Sequence, residues 1–448
     1  MKDIVLRRIR RRTARVAVFG LGRIGLPIAA TIAEAGFQVI GVDLNSKIVK
    51  AVSKGRVDTT ELGLSNLIKQ VTKKGLLKAT SNGEVPVKES SIIVICVPTP
   101  IREDKTPNLS YIEDACETIA HTLNKGKLII IESTLPPKTT KTFIPPTLKR
   151  GSELRCGLDF WLAYCPERLT PGKVLKEFVE DDKIIGGYNT ESAEIAAEFF
   201  KTFIKGDILT TDATTAEVSK LSENTFRDVN IAFANELALL CEYLGVDVMD
   251  VIKLANTHPR VNIHMLGCGV GGPCLPKDPY LLLHSDKGFD SYVIKKARIM
   301  NDGMPEHIVD LVLKGLRDLG KRVLNSKITI LGTAYKGNVD DPRLSPSKPI
   351  IEKLLDLGAK VVTYDPYCSE SFKAEKTRSF VEAVTDSDCI IVATDHTEFK
   401  DIDFSKLKKS MNDNPIIVDG RRIVDPVKAK KTGFKYYGVG YGVRDEGR

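Results

Sequence analysis

The sequence predicts an α/β protein in which two doubly wound parallel sheets are joined by a helical segment with a long central helix. Three observations support this prediction. A short apolar strand, a glycine turn, an apolar helix and a second strand that ends in an acid follow one another between Arg15 and Asp43. One continuous helical pattern covers about 214–244, and the opening strand pattern recurs from Lys327 onwards.

The first strand–helix–strand unit carries a dinucleotide-binding fingerprint with glycines at 20, 22 and 25. Gly20 permits a tight turn, Gly22 lets the backbone approach a pyrophosphate, and Gly25 allows the helix and the strand to pack closely. Asp43 ends the second strand, where its carboxylate would accept hydrogen bonds from ribose hydroxyls and repel a 2′-phosphate. The unit therefore predicts NAD, rather than NADP, as the cofactor.

Later strand-like segments complete this first sheet and then repeat its design. They are Ile92–Val97, Leu128–Glu132 and Trp161–Tyr164 in the first copy, and Lys327–Gly332, Ala359–Asp365 and Asp388–Thr394 in the second. The second copy lacks the full glycine fingerprint and has Lys336 beside its turn, which favours a different phosphate-bearing ligand. We therefore predict a basic N-terminal tail (1–14), an NAD-binding Rossmann-like domain (15–212), a central helical and dimer-forming domain (213–315) and a second Rossmann-like domain (316–448).

Charge and composition restrict the possible partners. The 448 residues carry a formal net charge of +8, and the first fifteen contribute +6 of it through seven basic residues and one acid. We expect this tail to be solvated, with a polyanion-binding arm as the alternative, and the nearly balanced remainder argues against nucleic-acid binding. No run approaches the roughly 18–20 apolar residues of a membrane span. Nine cysteines without a secretory signal predict reduced thiols and a cytoplasmic location.

The segment from Gly267 to Pro279 combines a glycine run with a cysteine and is the richest candidate for chemistry. The glycines leave backbone N–H groups free to face an anion, and Cys274 precedes Lys277, near which a thiolate would be stabilised. A structural cysteine in a tight loop is the alternative. The spacing of Cys268 and Cys274 lies outside the usual zinc patterns, so no metal is predicted.

Lys220 and Asn224 stand one helical turn apart within the long helix and should project from the same face. A solvated polar stripe would explain this pair, but a lysine and an amide close to a reactive cysteine would also form an oxyanion site. A cysteine beside an NAD domain suggests thiol-assisted aldehyde oxidation. The aldehyde would form a thiohemiacetal, oxidation would give a thioester, and water would release the acid.

An ordered series of motifs along nearly the whole chain resembles the UDP-glucose/GDP-mannose dehydrogenase family. The matching segments are Gly20–Gly25, Val97–Pro100, Glu132–Thr134, Cys165–Arg168, Gly271–Cys274, Asp341–Pro346 and Asp419–Arg421. The resemblance implies two successive NAD-dependent oxidations at C6 of a nucleotide sugar, with the second Rossmann-like domain binding the UDP-sugar. The chain is most similar to members that act on UDP-N-acetyl-D-mannosamine. UDP-N-acetylglucosamine and UDP-glucose are the alternatives, because Pro273 stands where the amino-sugar enzymes usually have His.

The resemblance also implies roles for individual residues. The catalytic set would be Cys274 as nucleophile, Lys220 and Asn224 as oxyanion stabilisers, Asp278 as support for the active-site water and the lysine, Glu167 as the base for hydrolysis, and Thr134 as a water-holding hydroxyl. Cofactor contacts would come from Gly20, Gly22, Arg23, Ile24, Gly25, Asp43, Pro98, Thr99, Thr134 and Arg343. Substrate contacts would come from Glu167, Arg168, Lys220, Asn224, Arg260, Gly271, Gly272, Lys336 and Arg421. Arg260 matches an arginine that reaches the substrate of a neighbouring subunit, which implies a homodimer.

Three other classes of protein share part of this pattern. A two-electron dehydrogenase of the 6-phosphogluconate type has an NAD domain and a helical spine but needs neither the cysteine nor a second nucleotide domain. A short-chain-type epimerase would use the Tyr292–Lys296 spacing, but this pair lies outside the NAD domain. A non-catalytic nucleotide-sugar sensor would be expected to lack Cys274 or Lys220, and both are present.

Overall fold

A computed structural model of the chain describes residues 1–59, 61–170, 172–284 and 289–442. The chain divides into two compact units, Met1–Glu223 with Tyr280–Phe289, and Asn224–Pro279 with Asp290–Arg448. Each unit contains one twisted sheet with helices packed against it, which confirms the predicted pair of Rossmann-like folds. In the part of the chain that the structure describes, no helix is both long and apolar enough to span a bilayer.

Among the described residues, the first sheet has eight strands, five of which agree closely with segments predicted from the sequence, whereas the third, seventh and eighth were not predicted. They are β1 (Arg15–Phe19), β2 (Gln38–Val42), β3 (Leu77–Thr80), β4 (Ile92–Ile95), β5 (Leu128–Ile131), β6 (Trp161–Tyr164), β7 (Lys183–Gly187) and β8 (Ile208–Asp212). Their order is β3-β2-β1-β4-β5-β6-β7-β8, and all neighbours run parallel except β6 and β7. The first six strands therefore have the arrangement of a dinucleotide-binding sheet.

Helices cover this sheet. They are α1 (Lys2–Arg10), α2 (Gly25–Glu34), α3 (Ser46–Ser53), α4 (Leu64–Lys73), α5 (Glu84–Glu89), α6 (Ser110–Thr122), α7 (Thr139–Thr142), α8 (Ile144–Ser152), α9 (Val174–Glu180) and α10 (Thr190–Phe200). Alternate residues of β1 enter different cores, Val16 and Val18 on one face and Ala17 and Phe19 on the other. The central strands are therefore buried on both faces, as the short apolar runs in the sequence require.

The N-terminal segment is a helix packed on the first unit. Val5 and Ile9 of α1 are 3% and 0% exposed and belong to the core of that unit. Two ion pairs join α1 to α10, Lys2–Glu194 at 2.7 Å and Arg10–Glu198 at 3.0 Å. The prediction of a solvated tail is therefore wrong, because two apolar residues four apart bury one side of a helix whose basic residues stay on the other.

The described residues of the central segment form four helices: α11 (Ala213–Leu244), α12 (Val248–Ala255), α13 (Asp278–His284) and α14 (Val293–Asp318). The 32 residues of α11 confirm the long helix predicted over 214–244. The division between the two compact units falls within α11. The domain limits proposed from the sequence therefore stay predictions.

The second sheet has six strands, all parallel: β9 (Lys327–Leu331), β10 (Lys360–Tyr364), β11 (Glu375–Lys376), β12 (Cys389–Val392), β13 (Ile416–Asp419) and β14 (Lys435–Gly438). The remaining helices are α15 (Ser347–Asp356), α16 (Phe380–Val384), α17 (Phe404–Ser410) and α18 (Pro426–Thr432). The strand order is β11-β10-β9-β12-β13-β14. Counted within its own copy, this order matches the first six strands of the first sheet, so the internal repeat is confirmed.

Candidate active site

The glycine turn between β1 and α2 has the geometry that a dinucleotide requires. Gly20 adopts a φ of +90°, which favours glycine, and a Cβ added at Gly25 would stand 1.9 Å from the carbonyl oxygen of Gly20. A Cβ added at Gly22 would meet no atom within 4 Å, so the backbone there borders open space. No side chain caps the N-terminus of α2, so its N–H groups can receive a pyrophosphate.

Asp43 follows β2 and binds the glycine turn directly. Its Oδ2 accepts a hydrogen bond of 2.8 Å from the N–H of Leu21, and its Oδ1 accepts one of 2.8 Å from the N–H of Asn45. The carboxylate is half-buried and borders the cavity of the first unit. It is therefore held in place by the backbone while it remains open to a ribose.

A cavity of about 590 Å³ unites most of the predicted cofactor residues of the first unit. Its lining includes Gly20, Gly22, Arg23, Ile24, Asp43, Pro98, Thr99, Thr134 and Glu167. Gly25 lies beneath this surface in α2. The cavity size, the open glycine turn and the strand-terminal acid fit NAD. Arg343 belongs to the second unit and is not part of this lining.

Several residues that border the cavity received no role from the sequence: Ser81, Tyr111, Asp114, Thr118 and Glu132. Glu132 was noted only as part of a motif. It is 2% exposed, and both of its oxygens accept hydrogen bonds from Lys183, which is 6% exposed, at 2.8 and 3.0 Å. Burial raises the pKa of Glu132, and the charge of Lys183 opposes this rise. The signal available in the sequence was an acid directly after the apolar strand β5.

The predicted pair on α11 is buried and is not part of a solvated stripe. Lys220 and Asn224 are 7% and 8% exposed. One turn earlier, Glu217 is fully buried, and its Oε1 accepts hydrogen bonds from the N–H and the hydroxyl of Thr140 at 2.7 and 2.6 Å. Burial raises the pKa of Glu217 to about 7 in spite of these bonds.

Asp278 begins α13 and holds the amide of Asn224. The Nδ2 of Asn224 donates a hydrogen bond of 2.6 Å to Asp278 Oδ2, and Lys277 Nζ lies 3.2 Å from Asp278 Oδ1. Asp278 is 1% exposed, so this bond lies away from bulk water. A buried carboxylate therefore fixes the orientation of the Asn224 side chain.

Cys274 is accessible, whereas the other eight cysteines, all at described positions, are buried or half-buried. Burial raises the pKa of the neighbouring Cys268 thiol to about 12, which keeps it protonated. The N–H groups of Lys277 and Asp278 both donate to the carbonyl oxygen of Cys274, at 3.0 and 2.9 Å. Cys274 therefore combines an exposed position with an ordered backbone.

The glycines before Cys274 allow its loop to lie against the segment that follows β9. The N–H of Gly272 donates a hydrogen bond of 3.0 Å to the carbonyl oxygen of Arg343, and a Cβ on Gly272 would stand 2.7 Å from the ring of Tyr335. Arg343 pairs with Asp341 at 2.6 Å. This hydrogen bond raises the pKa of Arg343, and the charges of Tyr335 and Cys274 contribute further.

Two predicted substrate residues follow strands of the second sheet that are separated by β12. Lys336 is exposed five residues after β9, and Arg421 follows β13 with its Nη2 3.1 Å from Asp395 Oδ1. The carboxyl ends of strands in such sheets are the usual place for nucleotide ligands. Arg260 is exposed in a separate loop of the same unit. Arg168 lies in the first unit, where its Nε is 2.8 Å from Glu223.

Comparisons with known proteins agree with this architecture. Three family models of the UDP-glucose/GDP-mannose dehydrogenase family match the chain, the NAD binding domain over 14–204, the central domain over 214–303 and the UDP binding domain over 329–426. Together they follow the order of the two sheets and the long helix between them.

Curated and solved relatives extend this match to nearly full length. A UDP-N-acetyl-D-mannosamine dehydrogenase of Pyrococcus horikoshii is 44% identical over 428 residues, which cover 96% of this chain and 99% of the relative. A solved UDP-D-ManNAc dehydrogenase from Pyrococcus horikoshii matches with a TM-score of 0.89 and 43% identity, over 96% of this chain and 100% of that one. A solved NDP-N-acetyl-D-galactosaminuronic acid dehydrogenase from Methanosarcina mazei Go1 has a TM-score of 0.89, 32% identity and 99% coverage of both chains. The chain therefore belongs to the UDP-glucose/GDP-mannose dehydrogenase family and is an NAD-dependent oxidoreductase that acts on nucleotide sugars.

Proposed function

We propose that this chain oxidises C6 of UDP-N-acetyl-D-mannosamine from a primary alcohol to a carboxylate. The observation that carries the proposal is Cys274, an exposed cysteine on an ordered loop in a chain whose other cysteines are buried or half-buried. The relative that is 44% identical carries the name of this sugar, which supports it as the substrate. UDP-N-acetylglucosamine and UDP-glucose are the alternative substrates, and the uronic acid formed would serve the synthesis of surface polysaccharides.

In this proposal, the reaction depends on a covalent bond to Cys274. NAD, when bound in the cavity of the first unit, accepts two electrons in each of the two oxidations. The Cys274 thiolate attacks the aldehyde carbon left by the first oxidation and holds it as a thiohemiacetal, which the second oxidation converts to a thioester. Water then adds to the thioester carbon, the carbon–sulfur bond breaks, and the carboxylate and the thiolate are released. One water is consumed for each sugar.

The proposed roles of the polar residues follow from their charge and their contacts. The Lys220 ammonium group and the Asn224 amide would stabilise the oxyanion that forms when sulfur or water adds to the carbon. Asp278 supports this role because it accepts one N–H of Asn224 and so directs the amide. Glu167 would accept a proton from the attacking water, and Thr134 would hold water near the nicotinamide; both line the cavity.

For the nucleotide part of the substrate, we propose that Lys336 and Arg421 bind the diphosphate of UDP. Both are cationic and lie after strands of the second sheet, at the edge where such ligands bind. Arg421 is half-buried and paired with Asp395, so its position is set before the ligand arrives. Arg343 is proposed as a cofactor contact and Arg168 as a substrate contact.

We also propose a homodimer formed through α11 and α14. Exposed apolar side chains line these helices, among them Phe226 (65%), Phe233 (53%), Leu240 (50%), Tyr243 (82%) and Ile299 (64%). Clusters of exposed apolar side chains on soluble proteins often mark an interface. Arg260 lies in a loop closed by Asn256, whose side chain exchanges two hydrogen bonds with the backbone of Ile263, at 2.8 and 3.0 Å. This loop presents Arg260 to solvent, where a partner subunit could receive it.

The nine free cysteines favour a cytoplasmic location.

The proposal is tested by counting NADH at 340 nm per sugar consumed, with UDP-N-acetylmannosamine, UDP-N-acetylglucosamine and UDP-glucose in parallel. We expect two NADH per UDP-N-acetylmannosamine and little from the others. Cys274→Ser should abolish formation of the acid while the variant still binds the nucleotide sugar. Unimpaired formation of the acid by Cys274→Ser would exclude the thioester. No turnover of any sugar by the unaltered chain, with binding retained, would favour the sensor.

A further inference from the structure

His396 is a completely buried histidine with both ring nitrogens engaged, and the reaction proposed above does not use it. It follows β12 and is 0% exposed. Its Nδ1 accepts a hydrogen bond of 2.9 Å from the backbone N–H of Asn338, and its Nε2 lies 3.0 Å from Asp365 Oδ2. Because the partner of Nδ1 is a donor, Nδ1 carries no proton. Nε2 therefore carries the proton and donates it to Asp365.

Asp365 cannot serve a ligand in the way that Asp43 can. It occupies the corresponding position after the second strand of its sheet, but its side chain is 1% exposed. Its Oδ2 accepts from the N–H groups of Thr333 and Ala334 at 2.7 and 3.0 Å, in addition to His396. In the second copy of the fold, the acid after the second strand is therefore buried and holds the imidazole of His396 by a hydrogen bond.

Asp395 and Thr397, on either side of His396, also form hydrogen bonds with the loop 336–338. Asp395 Oδ1 accepts a hydrogen bond of 3.2 Å from the N–H of Gly337 and also lies 3.1 Å from Arg421. The side chain of Asn338 exchanges two hydrogen bonds with Thr397, at 2.8 and 3.0 Å. Gly337 is required here, because a Cβ would stand 2.4 Å from the carbonyl oxygen of Asp395. The loop 336–338 is therefore held by three consecutive residues.

We propose that His396 is a positioning residue for the nucleotide substrate, which sets the loop 336–338 in the conformation in which Lys336 binds the diphosphate. This inference rests on the proposed function, because it assigns UDP to Lys336 and Arg421. A loop ordered before binding loses less conformational entropy when the ligand arrives, and this gain appears as affinity.

The test separates the hydrogen bond from the packing of the ring. His396→Phe keeps an aromatic ring, which can stack on Tyr367 as the imidazole does with 5.0 Å between ring centres, but removes the acceptor for Asn338. His396→Asn keeps an acceptor close to the position of Nδ1. We expect His396→Phe to weaken UDP binding about tenfold or more in calorimetry, and His396→Asn to remain within about threefold of the unaltered chain.

Two further variants make the result interpretable. Tyr367→Phe removes only the hydroxyl that donates to Glu398 at 2.8 Å, and it should leave UDP affinity unchanged. Lys336→Ala tests the proposed UDP site itself. In steady state, His396→Phe should raise KM for the nucleotide sugar with kcat and KM for NAD retained, which a general loss of folding would not do.

The outcomes distinguish the two levels of the proposal. If the unaltered chain binds UDP, Lys336→Ala weakens binding and His396→Phe has no effect, the positioning role is wrong and the proposed function stands. Equal weakening by His396→Phe and His396→Asn would also overturn it, because the acceptor would then not matter. If the unaltered chain fails to bind UDP, or Lys336→Ala binds it normally, the proposed UDP site is itself wrong.

Discussion

Asp43 stabilises the glycine turn, and we expect the same side chain to set the choice of cofactor. Its two oxygens accept hydrogen bonds from Leu21 and Asn45, so the carboxylate stabilises the glycine turn. The same carboxylate borders the cavity, where its negative charge would oppose a 2′-phosphate. We therefore expect cofactor preference and turn geometry to be coupled at this residue.

Replacing Asp43 by Ala should lower the ratio of kcat/KM for NAD to that for NADP by about tenfold or more, because the repelling charge is lost. The absolute kcat/KM for NAD should fall too, since two backbone N–H groups lose their acceptor. The ratio of the two cofactors separates these effects. Asp114→Asn is the matched control, because Asp114 borders the same cavity but does not follow a strand. An unchanged ratio in Asp43→Ala would refute the assignment.

At the scale of single elements, α1 is the helix whose packing on the first unit was not predicted from the sequence. Its many arginines suggested a solvated segment. Val5 and Ile9, its two buried residues, are too few to form a clear apolar face in the sequence pattern. Those two residues nevertheless belong to the core of the first unit, together with Trp161 of β6. The helix is therefore a part of the folded unit.

The stability of the first unit should depend on this helix. Ile9→Ala should lower the free energy of unfolding by about 2–5 kcal/mol, because a fully buried side chain is truncated. Trp161 is the only tryptophan of the chain, so its fluorescence during urea denaturation reports on the first unit. Ile4→Ala, on the same helix but 56% exposed, should change the free energy by less than about 0.5 kcal/mol. Equal effects of both substitutions would show that α1 does not pack as described.

Five strands of the first sheet and three of the second were predictable where the helix α1 was not, for a physical reason. A strand buried on both faces needs a continuous apolar run, such as Ile92–Ile95 in β4, and this signal is local in the sequence. The glycine turn and Asp43 were also local. The hydrogen bond between His396 and Asp365 joins segments that are far apart in the sequence, and so does the bond between Lys183 and Glu132. No spacing in the sequence could therefore reveal either contact.

On the scale of the whole molecule, the long helix has an apolar face that stays largely exposed, although the ring of Phe226 contacts that of His264. Phe226, Phe233 and Leu240 recur every seven residues along α11, and each is at least 50% exposed. A spacing of seven places side chains along one side of a helix, which is the pattern of a helix–helix interface. A second copy of the chain would cover this face in the proposed homodimer.

Phe233→Glu should convert the dimer to a monomer, because a charge would be placed in the centre of the apolar face. Sedimentation equilibrium gives the mass directly. Val381→Glu is the matched control, since Val381 is 60% exposed on α16 and outside this face, and it should leave the dimer intact. A monomeric mass for the unaltered chain, or a dimeric Phe233→Glu, would contradict this arrangement.

Mixing two inactive variants extends this prediction to the active site. If Arg260 completes the site of the partner subunit, Arg260→Ala and Cys274→Ser should each be inactive alone but recover activity after subunit exchange. In a mixed dimer, the subunit that keeps Cys274 receives Arg260 from its partner, so one complete site forms. If Arg260 serves its own subunit, neither site is complete and mixing restores nothing. Adding Phe233→Glu to both variants should abolish the recovery, because without a dimer Arg260 cannot reach the active site of a second subunit.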